Sequence, residues 1–208
     1  MDPKKKEIFK LTIDRRFDEL IRIVPSLSGE QRRTALQQLS DAAPEEAVEV
    51  FSYAAKNDED LMCRVHAIHG LKKIGGEQAE RGLLDALKTE REPGVACQIL
   101  IGIEKIGTPL SIPDLAVPAQ SDDRHVRYKT VLALLAIGTN SETERILLGL
   151  LNDSDRIIRF LVMADLIKHG SPQAKEAASR QLENEGFVTR KFLGRYRRAM
   201  GQPTKTAE

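Results

Sequence analysis

The chain has 208 residues, 32 Lys and Arg against 31 Asp and Glu, 4% aromatic residues and no Trp. That length suits one domain, or at most two small ones. The net charge of +1 supplies no global field drawing the protein to nucleic acid or to an anionic membrane. Leu, Ala and Ile dominate, which favours packed helices over a β-sandwich. The longest apolar runs, such as Val131 to Ile137, are too short to span a bilayer, so no membrane partner is expected. Residues 1–6 form a charged tail with no apolar segment behind it and no secretory pattern. Cys63 and Cys97 have no metal-type spacing; they read as reduced thiols in a cytoplasmic protein.

The apolar spacing predicts helices in pairs, in chain order 8–24 with 30–42, 45–56 with 62–74, and 77–88 with 94–106. The pairs continue as 112–119 with 124–137, 142–151 with 156–169, and 173–184 with 187–200. Pro109, Pro113 and Pro118 predict that the fourth leading helix is short or bent, because proline cannot donate within a helix. Ser141 and Glu144 have the spacing of a capping box, and Ser171-Pro172 places proline at a first helical position. Residues 202–208 read as a flexible tail after a single repeat domain spanning 1–201.

The pairs repeat. Gly75, Gly107, Gly138, Gly170 and Gly201 recur at intervals of 32, 31, 32 and 31 residues. Each is placed to end a second helix in the left-handed conformation. Eleven residues before these glycines stand Arg64, Ala96, Arg127, Arg159 and Arg190; one period earlier, Ala43 and Arg32 fill the two slots. The expected fold class is an all-α solenoid of about six helix pairs, wound as a right-handed α-α superhelix.

The blocks LMCRVHAIHGLKKIG, DRHVRYKTVLALLAIG and DRIIRFLVMADLIKHG resemble the HEAT-like repeat of the phycobilisome-lyase type. That pattern is an acidic turn, an apolar-Arg pair, spaced small residues and a closing Ile-Gly. The resemblance covers about residues 8–201, with the first and last units degenerate. It implies a HEAT-like fold whose second helices line a concave surface. Relatives of this fold include bilin-lyase subunits, hydroxylases, DNA glycosylases and adaptors, so function must come from the residues on that surface.

Counted back from the glycine, positions −12, −8, −5, −4 and −1 share the core face of each second helix. Positions −10, −6 and −3 point away from it. They are mostly polar in the first two repeats, with Arg33, Gln37 and Ser40, then Val65, His69 and Lys72. In the last they are Lys191, Arg195 and Arg198. The middle repeats carry an apolar strip: Cys97, Ile101 and Glu104; Tyr128, Leu132 and Leu135; Phe160, Ala164 and Ile167. Exposed apolar patches mark interaction surfaces. The expectation is a groove that receives an amphipathic or acidic segment of a protein partner. Its contact residues are Ile101, Tyr128, Leu132, Leu135, Phe160, Ile167, Lys191, Arg195 and Arg198. A homodimer mate, or cover by the chain itself, is the competing occupant.

The remaining charges read as structural. Asp60, Asp123 and Asp155 each lie four residues before a repeat arginine, and Glu92 occupies the same place before Ala96. A residue needed in every repeat does the same job each time: the acid caps the helix and the arginine is expected to return a bond to it. Asp165 replaces a small core-facing residue and needs a partner there. His66, His69, His125 and His169 include no His-Glu pair, whereas HEAT-type deoxyhypusine hydroxylases hold iron with such pairs. No metal, no cofactor and no catalytic residue is expected, and the chain reads as a non-catalytic scaffold. The basic helix from Phe187, with Arg190, Lys191, Arg195, Arg197 and Arg198, gives a second reading, nucleic acid or another polyanion. HEAT-type DNA glycosylases line their groove with basic residues and Trp; this groove is apolar and the chain has no Trp. A third reading follows from the lyase resemblance: a linear tetrapyrrole held between Tyr128 and Phe160, its propionates bounded by Lys191 and Arg195.

Overall fold

The computed structural model describes residues 2–186 and Lys191. Among them every regular element is a helix, and the fold is an all-α solenoid. The described residues divide into two compact units, with the boundary between Asp114 and Leu115. Apart from Lys191, the expected sixth second helix and the tail at 202–208 lie outside the described residues.

The first unit begins with α1 (Pro3–Ile13) and α2 (Phe17–Ile23), where one leading helix over 8–24 was expected. The chain breaks at Arg15, whose φ is +55°. The Arg16 N–H donates to the Leu11 carbonyl and the Arg15 N–H to that of Thr12, the paired bonds of a Schellman-type stop. Such a stop usually carries glycine; an arginine there leaves no signal in the sequence. The unit continues with α3 (Gly29–Ala42), α4 (Val48–Asn57), α5 (Leu61–Ile74), α6 (Gly76–Thr89) and α7 (Pro93–Ile106). The prolines reduce the fourth leading helix to α8 (Ile112–Leu115), flanked by 3-10 turns at Pro109–Ser111 and Pro118–Gln120. The second unit carries α9 (Arg124–Ile137), α10 (Ser141–Gly149), α11 (Arg156–His169) and α12 (Pro172–Asn184).

Leu36, Leu39, Phe51, Ile68, Leu71, Leu83, Ile99 and Ile103 are fully buried in the first unit; Val131, Leu134, Ile158, Val162 and Leu166 are in the second. The small residue at −5 is required by this packing: a side-chain carbon on Gly70 would overlap the ring of Phe51, and one on Gly102 would press on Leu83. At −5 of α9, Ala133 is itself fully buried.

The closing glycines do not behave alike. Gly75 and Gly138 have positive φ, +73° and +108°. Gly107 and Gly170 do not take the left-handed conformation expected of them; their φ values are −65° and −66°. There a β-carbon would lie 2.5 Å from the carbonyl oxygen of Ile103 or Leu166, so glycine serves close approach instead. The left-handed cap proper is taken by Ala43, at φ 48° and ψ 54°.

Candidate functional site

The acids before the second helices cap them as expected. Asp60 accepts from the Cys63 N–H, Asp123 from those of His125 and Val126, and Asp155 from those of Ile157 and Ile158. Glu92 makes no side-chain cap. The Asp60 carboxyl is lowered to about 2, chiefly by its hydrogen bond from Arg33.

The repeat arginines do not bond to those capping acids; that expectation is corrected. Each reaches an acid 26 residues onward, at the end of the next leading helix. Arg32 forks onto Asp58 at 2.7 and 3.0 Å, Arg64 bonds Glu90 at 2.9 Å, Arg127 forks onto Asp153 at 2.6 and 3.0 Å, and Arg159 forks onto Glu185. The third nitrogen holds carbonyls of the turn before its own helix: Leu27 for Arg32, Asp58 for Arg64, Ser121 for Arg127 and Asp153 for Arg159. Each guanidinium therefore clamps the turn of one repeat to the turn of the next. The acids are nearly sealed from solvent; the side chain of Asp153 is 3% exposed.

A second set of carboxylates ties leading helices together on another edge. Glu80, 2% exposed, accepts from the Thr108 N–H and from the hydroxyls of Thr108 and Ser111. Glu144 accepts from the N–H and hydroxyl of Ser171. The capping box expected of Ser141 and Glu144 is therefore not formed. Asn140 caps α10 through the Glu142 and Thr143 N–H groups, and Glu144 turns to the next repeat. Ser171 caps α12 with Pro172 at its first position, as expected. Asp165 is satisfied: the Thr139 hydroxyl donates to it at 2.6 Å, and His169 Nδ1 lies 2.9 Å from its other oxygen. His66 and His69 are half-buried, and loss of solvation pushes both below the usual histidine value.

With these charges occupied, the outward faces of the second helices are the candidate site. In the second unit, α9 packs beside α11. Tyr128, Leu132, Leu135 and Phe160 are half-buried: they are neither sealed in the core nor fully open. Ile167 departs from the expectation, being 0% exposed, so it contributes to no open surface. Ile157, at −13 and one turn before Phe160, is 50% exposed and extends the strip. Its spacing from Phe160 was a readable signal that three positions per helix did not capture. Lys191 is exposed, and Arg195 and Arg198 lie outside the described residues, as do the other residues of the expected basic segment. In the first unit, Cys97, Ile101 and Glu104 on α7 and Val65, His69 and Lys72 on α5 are half-buried on the equivalent faces. Leu61 and Met62, at the start of α5, are exposed. A separate hollow of about 530 Å³ lies beside the exposed ring of Tyr53, with Val24, Pro25 and Val50 on its walls and the Arg32–Asp58 pair lining it.

Stacked helical hairpins, small residues at the packing positions and a repeating guanidinium clamp define an α-solenoid repeat protein. A model of HEAT repeats matches residues 17–96 and 80–164, and the chain belongs to the HEAT-repeat family. The phycobilisome-lyase type within it is not thereby distinguished. No curated protein matches the sequence. Among solved structures, human deoxyhypusine hydroxylase in complex with glycerol is similar, with 15% identity and a TM-score of 0.48 over 88% of this chain and 80% of that one. The expectation that the chain is not an enzyme is corrected: human deoxyhypusine hydroxylase, a solved structure similar to this chain, is an enzyme. At that identity the likeness assigns no reaction, substrate or metal to this chain. Among the described residues, no helix is long and apolar enough to cross a membrane.

Proposed function

We propose that this chain is a HEAT-repeat binding scaffold that receives a segment of a protein partner on the outward face of α9 and α11. The observation that carries the reading is the half-buried row of Tyr128, Leu132, Leu135 and Phe160, extended by the exposed Ile157. The first repeats place Arg33, Gln37, His69 and Lys72 at the equivalent positions. Completing the burial of one large apolar side chain stabilises a complex by up to about 1.5–3 kcal/mol, so a few anchors suffice for specific docking. Ile101 on α7 offers the same chemistry in the first unit. Cys63 and Cys97 are not joined in a disulfide, which suits a reducing compartment such as the cytoplasm.

The test places a photocrosslinking residue at Leu132 and identifies what it captures. One protein or a few should be captured, and Phe160→Asp should abolish the capture with the helical circular dichroism unchanged. Collapse of that signal in Leu132→Asp and Phe160→Asp would show that the strip is core and remove the reading. Capture of a second copy, with Leu132→Asp converting a dimer to a monomer in sedimentation, would make self-association the occupant. The phycobilisome-lyase resemblance supports a different occupant, a linear tetrapyrrole between Tyr128 and Phe160, which a bound visible chromophore would reveal.

A further inference from the structure

The near-neutral composition conceals a segregation of charge within the second unit. Helix α9 carries Arg124, Arg127 and Lys129 and no acid; α11 carries Arg156, Arg159 and Lys168 against Asp165. The leading helices of the same unit are not basic: α10 has Glu142 and Glu144 against Arg145, and α12 has Glu176 and Glu183 against Lys175 and Arg180.

The clamps then sort these charges. Arg127 and Arg159 are spent on Asp153 and Glu185, and Asp165 is spent on Thr139 and His169. Lys129, Arg156 and Lys168 form no ion pair with any described residue. Lys129 lies over the ring of its neighbour Tyr128, 5.8 Å from the centroid. Arg124 reaches Asp155 only at 3.4 Å, with its own side chain 60% exposed. At about 100° per residue, each helix has its apolar ridge bordered by a lysine on one edge and an arginine on the other. For α9 these are Lys129 and Arg124; for α11 they are Lys168 and Arg156.

We propose that the segment received on this face is an acidic amphipathic stretch of a protein. Its apolar side chains would seat on Tyr128, Leu132 and Phe160, and its carboxylates would meet Lys129, Arg156 and Lys168. This rests on the docking reading above and adds the chemistry of the occupant. Apolar ridges between cations match a peptide that alternates anchors with carboxylates. A nucleic acid strand is the poorer match, because Leu132 and Leu135 at the centre of α9 offer a phosphate backbone no hydrogen bond.

The experiment uses the full chain and a labelled synthetic helix of about 18 residues, with Leu and Phe on one face and Glu on the other. Its controls are the same peptide with every Glu replaced by Gln, and a single-stranded oligothymidylate. The Glu peptide should bind, and the Gln peptide should bind about tenfold or more weakly. The combined variant Lys129→Glu, Arg156→Glu, Lys168→Glu should remove that preference while leaving the circular dichroism unchanged. Equal binding of the two peptides would overturn the acidic assignment and leave the docking reading standing. Binding of neither peptide would overturn the assignment, and crosslinking from Leu132 would then judge the docking reading by itself. Preference for the oligothymidylate would overturn it in favour of a nucleic acid occupant.

Discussion

Ala43 stands where later repeats have glycine, and it is held in the left-handed conformation at the end of α3. A β-carbon there crowds the following carbonyl, at a cost of about 1–2 kcal/mol. Glycine removes that crowding but widens the unfolded ensemble, so the two effects partly offset. Ala43→Gly is therefore expected to stabilise the chain by about 0.5–1 kcal/mol, read as a higher urea midpoint with an unchanged slope. A lower midpoint would mean that the methyl group makes packing contacts worth more than the strain. Cys63 stands in contrast as a residue without chemistry. It is fully buried, and burial pushes its thiol up to about 11, so it packs as a small apolar group rather than as a nucleophile.

Among elements, the guanidinium clamps do the joining. In the first unit Arg32 and Arg64 link successive turns, and in the second Arg127 and Arg159 do so. Ala96 has no guanidinium to offer, and its repeat is followed by the proline-broken α8. Replacing Arg127 by methionine keeps the aliphatic stem but leaves the nearly buried Asp153 carboxylate without its counter-charge. A loss of about 3 kcal/mol is expected in chemical denaturation. Arg127→Met combined with Asp153→Asn should recover part of that loss; additive losses would show that the pair is not coupled. The i,i+4 pair Arg180–Glu176, exposed on both sides, is worth no more than about 0.5 kcal/mol and serves as the control.

At the scale of the whole molecule, these ion pairs and caps set the response to acid. Asp60 is lowered to about 2 by Arg33. Asp123 is lowered by the backbone N–H of Val126 and then that of His125. For Asp153 burial alone would raise the value, but Arg127 and the Asp155 N–H outweigh it and the net direction is down. Carboxylates depressed in the folded state take up protons more readily once unfolded. Their contribution is complete above the ordinary carboxylate range and is lost as pH falls from about 4 towards 2. Denaturation midpoints measured across that window should decline steadily with acid, and Arg33→Met should flatten part of the decline. An unchanged slope in that variant would remove Asp60 from the account.

The helix pairs, the breaks and the capping acids were legible in the sequence because each depends on local geometry. A period of about 3.6 residues marks a buried face, proline forbids a backbone bond, and an aspartate before a helix meets its free N–H groups. The split at Arg15 was not legible, since its stop lacks the usual glycine. The partners of the arginines were decided only by the fold. Arg127 has Asp123 four residues behind it and Asp153 far ahead, and only stacking one repeat on the next brings the distant carboxylate within 2.6 Å. The same stacking sealed Ile167, left Tyr128, Leu132 and Phe160 half-open, and left Lys129, Arg156 and Lys168 without ion partners among the described residues. Periodicity fixes which way a side chain points from its own helix, but what stands opposite it depends on contacts between residues far apart in the chain.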